Sequence, residues 1–264
     1  SAAGQPASLA TAWVNLAAVA IVSNDLPVAL AYYARAEPAL RDLDQHTVLV
    51  PLYNNRAQVR EATGDVPGAI ADLQAGGRSA AVVGALAQSL AMSTRAVQLL
   101  YATGRQAESE PLLEQVADVA RALGDRAALQ RALGDRALLV MARGDVAAAA
   151  RLLDEQEAIC TATGDAAGLA AAVGNRAILQ RTLGDLPGAL ASIERQLEIA
   201  RASGNGQAYL FATANRGELL GAMGRVGEGL AALAEARAMA VANGLTPMVE
   251  ELDRMAAAIR ATQQ

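Results

Sequence analysis

Few residues in this chain are of a type that performs chemistry, and those few are widely spaced. There is one cysteine, Cys160, and one histidine, His46. A nucleophilic cysteine needs a base and an electropositive setting. Cys160 instead falls in a column with Leu40, Ala80, Ala120, Ala200 and Ala240, and reads as a small buried hydrophobe. His46 follows a turn, and the partners a general base requires are not evident around it. Gly-Asp dipeptides recur at turns, as at residues 64, 124, 144, 164 and 184, without the second acid of a calcium loop, so they read as helix caps. Each glycine has an explanation as a helix end rather than as a phosphate cradle. No catalysis, metal or cofactor is expected.

Amides and guanidinium groups are the stronger candidates. One column, at forty-residue steps, holds Asn15, Asn55, Arg95, Asp135, Asn175 and Asn215. An asparagine amide carries both donor and acceptor, which matches the needs of a peptide backbone. The next column holds Leu16, Arg56, Ala96, Arg136, Arg176 and Arg216, whose arginines suit carboxylates. One-turn spacing adds Asn54, Gln58, Glu61 and Arg181 to the same helical faces. Aromatic residues gather early, at Trp13, Tyr32, Tyr33 and Tyr53, and late, at Tyr209 and Phe211.

These columns need rods of fixed length to hold them. Asn24, Gly64, Gly104, Gly144, Gly184 and Gly224 lie forty residues apart, with Asp44, Gly84, Gly124, Gly164, Gly204 and Gly244 midway. All are glycine, asparagine or aspartate, the residues that accept positive φ and end helices. Twelve stops, one every twenty residues, define six helix pairs without an insertion. Asp25, Asp65, Asp145 and Asp185 follow their turns as caps, with Pro27, Pro67 and Pro187 two residues on; Arg105 and Arg225 break that column. A small-residue column (Ala29, Ala69, Ser109, Ala149, Ala189, Gly229) precedes by four a large apolar one (Tyr33, Leu73, Leu113, Leu153, Ile193, Leu233). That pairing lets a neighbour's bulk enter a notch. The first helices repeat it, with Ala17, Ala57, Val97, Ala137, Ala177 and Gly217 small and an apolar column from Val19 to Leu219.

Composition agrees. Of 264 residues 53% are hydrophobic but only 3% aromatic, with alanine supplying much of the total, which favours helices over sheets. All 22 basic residues are arginine, against 27 acids, for a net charge of −5. The acidic balance argues against nucleic acid. No apolar run of membrane-span quality occurs, so a membrane is not expected. The single cysteine excludes an intramolecular disulfide and favours a reducing, cytoplasmic setting. The chain opens with Ser, and no cap precedes residue 8. Both suggest a segment of something longer, with a covalently linked domain among its partners.

The pattern resembles tetratricopeptide repeats, in the forty-residue form of kinesin light chains and many bacterial regulators. The triplets Asn-Arg-Ala at 55–57 and 175–177 and Asn-Arg-Gly at 215–217, nine residues before the turn glycine, carry the resemblance. It covers nearly the whole chain and implies an all-α, right-handed superhelical α-solenoid over 1–264. The repeats would be 6–43, 46–83, 86–123, 126–163, 166–203 and 206–243, with a capping helix at 246–262 whose stripe is Met248, Leu252, Met255 and Ile259. The resemblance also implies that first helices line a concave groove, where asparagines of kinesin-light-chain-like repeats touch the backbone of an extended peptide. The implied function is a protein-interaction module for a peptide or partner helix. A second reading makes the repeats the sensor arm of a larger signalling protein: a transcriptional regulator, a nucleotide-driven switch or a caspase-like protease.

Two readings of the columns stand side by side. The asparagines either meet a ligand or bond the adjacent repeat. The arginines either face carboxylates of a ligand or pack their stems while their heads reach a neighbour's acid. Trp13 is expected in the core of the first pair. Gly76-Gly77, inside a helix, costs about 1 kcal/mol per glycine against alanine and suggests a kink or hinge over residues 75–85.

Overall fold

The computed structural model describes residues 4–261, and every regular element among them is helical. In order these are α1 (Gly4–Val22), α2 (Leu26–Asp42), α3 (His46–Ala62), α4 (Val66–Val82), α5 (Leu86–Ala102), a 3-10 turn (Gln106–Ser109), α6 (Glu110–Leu123) and α7 (Arg126–Ala142). They continue with α8 (Val146–Thr163), α9 (Ala166–Thr182), α10 (Leu186–Ala202), α11 (Gly206–Ala222), α12 (Val226–Ala242) and α13 (Thr246–Ala261). The expected end of the last helix, residue 262, lies outside the described residues.

All twelve expected stops have positive φ, from 49° at Asp44 to 86° at Gly144. Each closes a helix in the same way. At Gly184, the Asp185 N–H donates to the Gln180 carbonyl (2.9 Å) and the Gly184 N–H to the Arg181 carbonyl (3.0 Å), satisfying carbonyls that the helix end would orphan. The next helix then starts on a side-chain cap. Asp25, Asp65, Asp145 and Asp185 accept from the backbone N–H three residues on, and so do Asp125, Asp165 and Asn205. Arg105 and Arg225 cannot accept; each instead forms a double hydrogen bond to the glutamate three residues later, Glu108 or Glu228. After Arg105 the chain makes its 3-10 turn before α6 begins.

The chain forms two compact units, with the division inside α7 between Ala132 and Leu133. In the first, α1 packs on α2, α3 on α4 and α4 on α5, while α1 also touches α3. In the second, α9 packs on α10, α11 on α12 and α12 on α13, while α9 touches α11 and α11 touches α13. Three-residue turns make successive helices antiparallel, so in each unit the odd-numbered helices share one face and the even-numbered helices the other.

The notch columns are where the core closes. Ala29, Ala69, Ala149 and Ala189 are buried beside Tyr33, Leu73, Leu153 and Ile193. Each large side chain so buried contributes about 1.5–3 kcal/mol. Backbone closes on backbone between α11 and α12, where a Cβ on Gly229 would stand 2.8 Å from the Gly217 carbonyl oxygen. On α13, Leu252 and Ile259 are buried with Met248 and Met255 beside them, against Leu210, Ala214 and Leu233. The expected stripe is therefore the inner face of that helix.

Three expectations need correction. Helix α4 runs unbroken through Gly76-Gly77 and both glycines are buried. A Cβ on Gly76 would meet the Met92 methyl at 2.0 Å and the Tyr53 Cβ at 3.0 Å, so glycine there admits a neighbouring helix and does not mark a hinge. Val19, apolar like the rest of its column, is 62% exposed on the first helix instead of packed as Val59 and Leu219 are. Trp13 is half-buried, less enclosed than the core position expected for it.

Candidate functional site

On α3 the residues Asn55 and Arg56 are neighbours in sequence, and helical geometry sets consecutive side chains about 100° apart. The structure turns that angle into two destinations. Arg56 is buried, and its guanidinium is held by Asp72 on α4 (2.9 and 2.6 Å) and by Glu37 on α2 (2.7 Å). Burial opposes its charge, but Asp72 and Glu37 outweigh that and push its pKa up. Arg176 repeats the arrangement on α9, bound to Glu157 and to Asp154 (2.7 Å) on α8. In both cases the glutamate precedes the arginine by nineteen residues. Arg216, half-buried on α11, lies in the field of Glu228 on α12. Arg56 and Arg176 therefore tie odd helices to even ones, the second of the two readings of that column.

The asparagine column points the other way. In the first unit, Asn15 and Gln58 are exposed on α1 and α3, and Asn55, half-buried, accepts from Asn54 (3.4 Å). Asn55, Gln58 and Val59 line a cleft of about 290 Å³ with Ala18, Ile21 and Ala62, between α1 and α3. At the edge, Arg95 on α5 binds Glu61 on α3 and Gln98. In the second unit, Asn175 is half-buried and Asn215 exposed on the adjacent helices α9 and α11. No hydrogen-bond partner for Asn15, Asn175 or Asn215 is present among the described residues. Arg181 on α9 reaches Glu218 on α11 (3.1 Å). With Asn215 it borders a small cleft of about 90 Å³ floored by Ala177, Ile193 and Leu219. Asp135 and Arg136, half-buried on α7, are both engaged within the protein.

Phe211 lies one turn before Asn215 and is 42% exposed. It opens a cleft of about 720 Å³ between the start of α11, the end of α12 and the start of α13, walled by Leu210, Met239, Leu245 and Met248. This recess is mostly apolar, and Phe211 sets it one turn from Asn215 on the same helix.

Cys160 is wholly buried, and burial, then the charges of Asp165 and Glu157, push its thiol up, away from the reactive thiolate. His46 belongs to the other unit. No described helix is long and apolar enough to cross a membrane.

Neither a family model nor a curated protein matches this sequence. Solved structures do. The Signal Transduction ATPase with Numerous Domains (STAND) protein with a tetratricopeptide repeat sensor, from Pyrococcus horikoshii, aligns over 96% of this chain and 38% of its own, with 13% identity and a TM-score of 0.66. The putative kinesin light chain repeats of Podosopora anserina align over 73% of this chain and 94% of theirs, with 20% identity and a TM-score of 0.57. The fold is that of tetratricopeptide repeats. Aspartyl phosphate phosphatase F from Bacillus subtilis shares the arrangement at 10% identity, over 83% of this chain and 59% of its own, with a TM-score of 0.67. The chain thus spans less than two thirds of the STAND protein and of the phosphatase.

Sequence reasoning missed a second recess, on the even-helix side of the first unit, built around Arg56, Asp72, Glu37, Tyr53, Arg60 and His46. Its signal was present in the nineteen-residue Glu-to-Arg spacing. Asp72 has no counterpart forty residues on, where Leu112 stands, so repetition alone did not mark it.

Proposed function

We propose that the odd-helix face of the second unit binds an extended peptide segment without catalysis. The supporting observation is the pair of uncommitted amides, Asn175 and Asn215, on helices that touch, next to the Phe211 cleft. Packed helices lie about 8–10 Å apart and an extended chain advances about 3.3 Å per residue. The two asparagines would therefore meet a peptide backbone about three residues apart. An apolar side chain further along would enter the cleft beside Leu210, Met239 and Met248. A preformed face limits the ordering cost, and a few polar contacts set direction and register. The exposed amides of Asn15 and Gln58 equip the first unit's odd face for the same task.

The test begins with a displayed peptide library selected on the immobilised protein. The double variant N175A/N215A should bind the selected peptides at least tenfold more weakly and melt at the wild-type temperature. Undiminished binding, or a large drop in melting temperature, refutes the reading, the latter by showing that the amides hold repeats together.

The coverage of 38% of the STAND protein favours a second proposal, that these repeats form the sensory segment of a longer chain in which peptide capture is the signal. A gene encoding these residues alone would defeat it.

A further inference from the structure

We propose that the even-helix side of the first unit holds a binding site for a small organic anion, one carboxylate or phosphate on an apolar body. The site is the recess of about 550 Å³ between α2 and α4, across α3. A cavity of this size suits a small metabolite.

Its floor is fixed. Arg56 and Asp72, both buried, are bound to each other, and Arg60 adds a bond to Asp72 (2.9 Å) while donating to the Gly68 carbonyl (3.0 Å). Tyr53 lies with its ring 5.5 Å from the Arg56 guanidinium and donates to Glu37 (2.9 Å). Burial and that glutamate push the Tyr53 phenol up to about 12, so it stays a neutral donor. These groups satisfy one another and leave little for a ligand.

The mouth differs. Arg78, on α4, is exposed and has no partner among the described residues. Arg41, on α2, is 3.8 Å from Glu37, too far for a strong bond, and its side chain is 66% exposed. Both guanidinium groups border the recess, so a carboxylate or phosphate between them would gain charge-assisted bonds that neither makes now. The N-terminus of α3 opens here too, and Gln45 gives it no capping bond, which adds the positive end of a helix dipole. His46, first on that helix, contacts Ser79 Oγ through Nδ1 (3.3 Å) and lies 4.0 Å from Asp44 through Nε2. Four arginines (Arg41, Arg56, Arg60, Arg78) and three acids (Glu37, Asp44, Asp72) line the recess, and a fourth acid, Asp65, stands 3.4 Å from the Arg60 guanidinium; the cationic groups left open to a ligand are therefore Arg41 and Arg78 at the mouth. Leu49, Ala75 and Val82 supply the apolar wall for the body of the ligand.

The sole histidine makes the test specific, because every imidazole signal in the NMR spectrum belongs to this site. At fixed pH and ionic strength, acetate, inorganic phosphate, benzoate and phenyl phosphate are titrated in turn. Saturable shifts of the His46 ring, with the aromatic anions at least tenfold tighter than their simple counterparts, support the site. The variant R41Q/R78Q, altered only at exposed side chains, should keep its melting temperature and lose at least tenfold in affinity; R78Q alone serves if the double variant melts early. Three outcomes overturn the proposal: unmoved His46 signals, equal affinity for acetate and benzoate, or shifts that persist in the arginine variants or are reproduced by chloride. The variant N175A/N215A should leave these titrations unchanged, so this test and that of peptide binding fail separately.

Discussion

Two glycines in the first turn of α12 separate packing from backbone propensity. Gly227 has nothing within 4 Å of the position its Cβ would take. On Gly229 a Cβ would stand 2.8 Å from the Gly217 oxygen and 2.9 Å from the Gly221 nitrogen. Alanine reduces the freedom of the unfolded chain at either site and by itself stabilises by about 0.4–1 kcal/mol. At Gly227 that gain stands alone, and G227A should be about 0.5 kcal/mol more stable than wild type. At Gly229 the obstacle is backbone, which cannot rotate aside, and ordinary carbon–oxygen contacts begin near 3.3 Å. The helices must separate by about half an ångström, enough to forfeit about a quarter of each dispersion contact across the seam. Overpacking of this kind costs about 1–3 kcal/mol. Taking the upper end and subtracting the propensity gain leaves G229A about 2 kcal/mol less stable. Urea unfolding followed by far-ultraviolet circular dichroism measures both. A G229A protein as stable as G227A would refute the close-approach argument, since the two positions share a helix turn and differ in what their Cβ meets.

The buried ion cluster gives two further predictions. R56M should lose about 3 kcal/mol, because Asp72 keeps only Arg60 as a partner, whereas R56M/D72L should recover part of that loss; Trp13 fluorescence in urea reports on this unit, and a double variant weaker than the single would contradict the reasoning. Glu37 is drawn upward by burial, but its bonds with Arg56 and Tyr53 prevail and hold it below its ordinary 4.5. Its ionised form therefore stabilises the fold above that pH, and the stabilisation is lost as acidification passes the folded value. The stability gap between wild type and E37Q should accordingly narrow between pH 7 and pH 3 in urea titrations, and a gap constant with pH would refute it.

Helix ends were legible in the sequence because they depend on one residue's access to positive φ and on a cap three residues from its donor, both local facts. Twelve turns, the caps at Asp25, Asp65, Asp145 and Asp185, and the Met248–Ile259 stripe followed directly. What a side chain meets depends on residues a helix or more away, and there the sequence was silent or ambiguous. Only packing showed that Gly76 seats Met92, that Arg56 turns towards Glu37 and Asp72, and that Asn175 and Asn215 remain uncommitted. Asn55 and Arg56 differ by one helical step, and which of them finds a partner was decided by whether an acid stood on the neighbouring helix at that height. The periodicity that makes the rods easy to read makes their faces alike on paper; tertiary contacts distinguish them.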